Sequence, residues 1–341
     1  MTHSIATRLR RVVQAAAVAA LGFGAAAAHA EAPLKAKIGV LRLTSSAPVF
    51  MAVEKGYFRD AGLDIELKFF DAAQPIAVAT ASGDVDFGVT AFTGGMYNLA
   101  GKGVLKVIGG MSREQPGFPL IAYVAGNTAY ANGLKSPKDL AGKRVGVTQI
   151  GSTFHYSLGL LADKYGFKLS DVKVVPLQSL SNAAAALKGE TIDGALLPAT
   201  TARPLIDANG AKLLGWVGDE TPWQLGAVFT TPKVLANKDL VTRLLTALVR
   251  ADREYHDVLL KAMKDGQVPL NEQTTPLLQI ISKYTNLPPE RIAVDCAYID
   301  RDGKLDIKNV GDQISWMQAQ GFVDKGFTVD DIIARDFARG D

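Results

Sequence analysis

Cysteine is almost absent. Cys296 is the only one in 341 residues, which excludes an internal disulfide and leaves apolar burial to stabilise the fold. Histidine is scarce as well, four in all, and His3 and His29 fall in the first thirty residues. His155 and His256 stand on separate segments, so a zinc site built from histidine and cysteine lacks ligands. The chain has no Gly-x-Ser-x-Gly elbow, no glycine-rich loop ending in Gly-Lys-Ser/Thr, and no His-Glu-x-x-His. Beyond residue 30 no run approaches the roughly 18 apolar residues of a membrane span. An excess of one charge is also missing. The first thirty residues carry Arg8, Arg10 and Arg11 and no acid; without them the 37 basic residues fall to 34, against 34 acidic ones. The basic balance of the full chain therefore carries no argument for a nucleic-acid partner.

What those thirty residues do contain is an export pattern. A basic start leads into an apolar, alanine-rich run from Val12 to Ala28, and Ala28-His29-Ala30 offers small residues where a signal peptidase reads. Cleavage is expected after Ala30. No cysteine follows, which argues against a lipid anchor, and Arg10-Arg11 is a weak twin-arginine signal beside the expected Sec route. The remainder has the composition of a globular protein, 48% hydrophobic and 21% charged overall. It is long enough for two lobes.

Two stretches repeat each other. "SGDVDFGV" at 82–89 and "KGETIDGA" at 188–195 share a glycine, an acid, an aspartate and a second glycine. Gly39 answers Gly146 and Asp86 answers Asp193, each pair 107 residues apart, and Gly83 answers Gly189 at 106. Around these anchors each half reads as strand, Ser/Thr turn, helix, glycine stop, strand: Ile38–Leu43 then a helix from Pro48 to about Asp60 then "LDIELKFF", and Val145–Gln149 then a helix to about Lys164 then "DVKVVPL". A β-α-β unit implies parallel strands. Asp84, Asp86, Glu190 and Asp193 read as structural acids, because they recur at fold-defining points. Extended stretches at 104–125 and 211–235 read as two crossings between lobes, a two-strand hinge. A long amphipathic helix follows in "NKDLVTRLLTALVRADREYHDVLLKAM", then helices in "TPLLQIISKYT", "NVGDQISWMQAQG" and "VDDIIARDFA".

In open parallel sheets ligands bind beyond the carboxyl ends of the strands. Four strand-to-helix turns qualify: "LTSSAP" (43–48), "VTAFTGG" (89–95), "TQIGSTF" (148–154) and "LLPATTARP" (196–204). Helix starts with free N–H groups and hydroxyls suit an anion. Candidate ligand groups are Ser45, Ser46, Phe92, Thr93, Ser152, Thr153, Phe154 and Thr200 in the turns. Phe118 and Trp223 at the crossings are candidate walls, and Arg42 and Arg113 candidate bidentate partners for a carboxylate or sulfonate. Plain capping and core packing explain the same residue types. His155 has no triad partner in sequence and reads as non-catalytic.

The runs "APVFMAVEKGYFRDAGLDIEL", "SGDVDFGVT", "SPKDLAGKRVGVTQIGST" and "LKGETIDGALLP" resemble the solute-binding proteins of ABC importers for nitrate, sulfonates, taurine and thiamine-pyrimidine precursors. The resemblance covers roughly residues 35 to 255. It implies an α/β fold of the two-lobe periplasmic binding protein type (type II), each lobe an open, mostly parallel sheet with helices on both faces. Lobe 1 is expected at 31–118 and 224–341 and lobe 2 at 119–223. It also implies a periplasmic monomer with no cofactor that hands a small-molecule solute to a membrane permease and ATPase. The ligand expected from the turns is a small organic anion, an aromatic carboxylate or a sulfonate. A neutral pyrimidine, an exported enzyme on the same fold, and a sensor subunit remain alternatives; the eukaryotic enzyme branch of the family carries a cysteine-rich stretch that this chain does not have.

Overall fold

The computed structural model describes residues 32–340; the expected signal segment lies outside them. The first stretch of chain gives four strands, β1 (Leu34–Leu41), β2 (Leu63–Phe70), β3 (Phe87–Ala91) and β4 (Lys106–Gly110). The short β5 (Ser112–Glu114) then leads across to β6 (Ile121–Ala125), β7 (Arg144–Val147), β8 (Lys173–Pro176), β9 (Gly194–Pro198) and β10 (Lys212–Trp216). The return passes through β11 (Trp223–Gln224) into β12 (Gly226–Thr230), and β13 (Tyr298–Ile299) comes last.

Two five-stranded sheets result, ordered β2-β1-β3-β12-β4 and β8-β7-β9-β6-β10. They have one topology. In each, the first strand pairs in parallel with the second and the third. In each, the strand that arrives from the other lobe runs antiparallel between the third strand and the edge. The repeated phrase is the reason the registers match. The Lys37 N–H donates to Asp86 Oδ2 at 2.7 Å, and the Arg144 N–H donates to Asp193 Oδ2 at 2.7 Å. Each aspartate thus clamps the third strand to the first one residue before the parallel pairing begins, Ile38 with Phe87 and Val145 with Gly194. The paired glycines have a packing reason. A Cβ on Gly39 would stand 3.0 Å from Ile76 and on Gly146 2.7 Å from Ile192, so in both sheets an isoleucine seats against bare backbone. Glu190 accepts from the Thr128 N–H and hydroxyl, and Asp84 from the Ser82 hydroxyl.

The crossings pair with each other as β5 and β11, antiparallel, and β13 adds a third strand that the sequence did not signal. Three helix boundaries differ from the sequence reading. The helix from residue 48 is broken: α1 (Ala47–Glu54) stops, and Gly56 at φ 75° starts a separate turn over Tyr57–Asp60. The long amphipathic helix is α-helical only over Lys238–Glu254 and continues as a π-helix over Tyr255–Leu260. The "VDDIIARDFA" segment forms a single capped turn, Val329–Ile332, followed by extended Ile333. The core runs through both sheets and the C-terminal helices, with Ile38, Phe50, Phe87, Tyr97, Tyr123 and Phe229 fully buried.

Candidate functional site

The carboxyl ends of β1, β3, β7 and β9 converge on a cavity between the lobes, with a volume of about 60 Å³. Lobe 1 contributes Leu41, Leu43, Ser45 and Ser46 from the first turn, Val89–Ala91 from β3, and Met111 and Ser112 from the crossing. Lobe 2 contributes Ile121, Thr148, Thr153, Phe154 and Pro198. The wall is mainly aliphatic with a few hydroxyls, and no described lining residue is charged.

Two hydroxyls in this wall lack partners. Thr90 is 8% exposed and its Oγ1 is buried without a hydrogen bond. A buried unpaired hydroxyl costs roughly 1–3 kcal/mol, so the position is unfavourable unless something accepts from it. Ser46 stands at the N-cap of α1, yet its side chain makes no capping bond, and it is 3% exposed. Behind it the Ala47 N–H is bonded to Thr44 O and Pro48 has no N–H, so the free group at this helix start is the Ser46 hydroxyl.

The lobes are closed on this space. The Gly94 N–H donates to Gly151 O at 2.8 Å, and the Thr153 hydroxyl donates to Phe92 O at 3.1 Å. To one side, Arg203 Nε meets Asp295 Oδ1 at 2.9 Å, with Asp295 fully buried. Burial raises the Asp295 carboxyl and Arg203 opposes that shift.

The twelve candidates from the sequence separate by place. Ser45, Ser46, Thr153 and Phe154 line the cavity. Arg42 and Thr200 border a neighbouring space of about 180 Å³ that shares Leu41, Leu43 and Leu180 with it. Arg42 is already engaged: its guanidinium lies 3.7 Å over Phe69 and donates to Tyr284 O. The other six lie outside the lining, each for a physical reason. Thr93 caps α2 (Gly94–Gly101) by accepting from the Met96 N–H, and it bonds Gln74. Ser152 caps α3 (Thr153–Tyr165) by accepting from the His155 N–H. Phe92 stacks on Tyr97 at 5.2 Å, Phe118 meets Tyr298 edge-on, and Trp223 meets Tyr156 edge-on. Arg113 donates to Lys304 O in the hinge sheet. His155 is buried beside Phe322, accepts from the Gly151 N–H at Nδ1, and is held neutral by burial, which lowers its pKa; it is not in the cavity wall. Thr90, Thr148 and Ser112 also line the cavity and are not among the sequence candidates. Thr90 lies inside β3, one residue short of its end, where attention to the turn beyond the strand misses it.

A closed pair of α/β lobes joined by crossing strands, with a cavity at the strand ends, is the type II periplasmic binding protein fold. The chain belongs to the NMT1/THI5-like family, whose model matches residues 43–256. It is 32% identical over 181 residues to the taurine-binding periplasmic protein of Escherichia coli (strain K12), covering 52% of this chain and 51% of that one. It is 28% identical over 151 residues to the 4-amino-5-hydroxymethyl-2-methylpyrimidine phosphate synthase of Schizosaccharomyces pombe, covering 44% and 40%. These matches span about half the length of the curated relatives or less. The alkanesulfonate-binding protein SsuA from Xanthomonas axonopodis pv. citri, solved with MOPS, superposes with a TM-score of 0.69 at 19% identity, over 88% of this chain and 98% of that one.

Proposed function

We propose that this chain is the periplasmic solute-binding component of an ABC importer and that its ligand is a small sulfonate with an aliphatic body. The observation that carries this reading is the unpartnered Thr90 hydroxyl in an otherwise aliphatic, uncharged wall. A sulfonate offers three oxygens to hydroxyl donors, and Thr90, Ser45, Ser46 and Thr148 stand around the space it would fill. The aliphatic remainder suits an alkyl chain, in a pocket with few polar anchors. Lobe closure traps the solute and forms the surface a permease and ATPase read. The family, the taurine-binding relative and the sulfonate-binding fold neighbour support the same reading.

The lining bears on the finer choice among anions. An aromatic carboxylate was one expectation, with Phe92, Phe118 and Trp223 as walls; those rings pack elsewhere and only Phe154 is in the wall. Taurine carries an ammonium, and no described lining residue supplies a carboxylate to it. The reading therefore favours a sulfonate without an amine. A pyrimidine lacks an acid partner for its ring nitrogens in the same wall. Binding rather than turnover is favoured because the neutral His155 lies outside the cavity wall.

The test is thermal unfolding of refolded protein with propane-1-sulfonate, taurine, benzoate and an aminopyrimidine. A ligand at about a hundred times its Kd stabilises by about 2.7 kcal/mol, a shift of several degrees. A shift with propane-1-sulfonate larger than with taurine is expected. A shift with the pyrimidine or benzoate alone would overturn the assignment.

A further inference from the structure

A second and larger space lies on lobe 1. Its volume is about 640 Å³, and its floor is formed by Ile108, Val228, Leu245 and Leu248. Set in its wall is Asp252, 3% exposed, whose Oδ1 has no hydrogen-bond partner. Asp252 sits in the last turn of α4 (Lys238–Glu254), immediately before the π-helix. Burial raises the Asp252 carboxyl well above the usual range, and the charges of Asp300 and Asp302 add to that shift. The rim arginines do not answer this charge. Arg250 is committed to Asp60, Arg253 to Asp302 and Arg335 to Asp330. Asp336 and Arg339, one of each sign, complete the rim.

An uncompensated acid in an apolar floor costs several kcal/mol if ionised, and a neutral one still leaves its oxygen unpaired. A positive group removes both penalties, and the greasy floor beside it accepts a hydrocarbon. We propose that this trough is a second small-molecule site whose ligand is an organic cation, a primary ammonium on an aliphatic body, with Asp252 as its charge partner. Binding ionises Asp252, and the displaced proton passes to solvent. The site is independent of what the cleft between the lobes takes.

Isothermal titration with n-butylammonium chloride, against sodium chloride at equal ionic strength, tests it. Saturable binding is expected, with a heat that changes with the ionisation enthalpy of the buffer as a proton leaves. Asp252→Asn weakens it at least tenfold and abolishes the buffer dependence. Leu245→Trp fills the floor without touching the acid and abolishes binding too. Circular dichroism and a cooperative thermal unfolding transition, recorded on both variants, report that each is folded. No saturable binding to the wild-type protein, or equal binding by folded Asp252→Asn, overturns the proposal.

Discussion

Ser46 and Ser152 open equivalent helices in the two lobes and are used differently. Ser152 spends its hydroxyl on the His155 N–H at 3.3 Å. Ser46 makes no such bond and lines the cavity. The contrast extends to whole lobes. Lobe 1 brings the unpaired Thr90 and the free Ser46 to the cavity, whereas lobe 2 brings Thr153, whose hydroxyl is bonded across the gap to Phe92 O. On the proposed reading, frames of one topology are divided between holding the ligand and closing over it.

That division is open to direct attack. The largest effect is expected from Thr90→Val, which keeps the shape and removes a buried, unpaired hydroxyl from the cavity wall. A hydrogen bond to a charged group is worth about 1.5–3 kcal/mol, so sulfonate affinity should fall about ten- to a hundredfold by calorimetry, with Tm of the free protein unchanged or higher. Thr153→Val should cost less, about 1 kcal/mol, and should appear as a more open free protein in small-angle scattering; an affinity loss equal to that of Thr90→Val would erase the distinction between the lobes. The paired serines give the sharpest contrast. Ser152→Ala should lower stability by about 1 kcal/mol through the lost cap and leave affinity nearly intact. Ser46→Ala should do the reverse, and urea titrations of both variants beside binding curves decide it.

The smallest effect concerns acid. Asp86 and Asp193 make the same strand clamp, but Asp193 also pairs with Arg144 at 2.8 Å, and that pairing holds its carboxyl below the usual range. A carboxyl lowered by folding contributes its stability above the unfolded value near 3.9 and loses it as pH falls through the folded value. Asp193→Asn should therefore flatten the decline in stability below about pH 4. The pair is partly exposed, so the change is small. An unchanged acid limb would show that the ion pair adds nothing to the clamp.

The halves of this molecule were legible because their punctuation is backbone chemistry: Gly39 and Gly146 at close approach, Asp86 and Asp193 accepting from strand N–H groups. Such needs are met by one residue type and leave a mark in the sequence. The cavity was legible only in part. Ser45, Ser46, Thr153 and Phe154 fall in its lining because they follow strand ends. Phe154 lines the cavity, but Phe92, Phe118 and Trp223 do not, because a ring near a turn says nothing of which way it points, and Phe118 and Trp223 turned to Tyr298 and Tyr156. Thr93 and Ser152 lie outside the lining as helix caps, and a capping hydroxyl and a binding hydroxyl look alike in sequence until the partner is seen. The broken helix at Gly56 and the π-helix after Glu254 were hidden because apolar spacing continues through both.

In each sheet the antiparallel strand is the one that arrives from the other lobe, and in lobe 1 that strand is β12. It is the only bridge between β3 and β4. Everything needed for the second sheet is contained between Ile121 and Trp216, so lobe 2 can assemble from a continuous piece of chain. Lobe 1 stays an incomplete sheet, with the paired edge of β4 bare, until residue 226 is available. A newly made chain thus passes most of its emergence unable to lock its first domain, a built-in delay of the kind that long-range pairing imposes on folding.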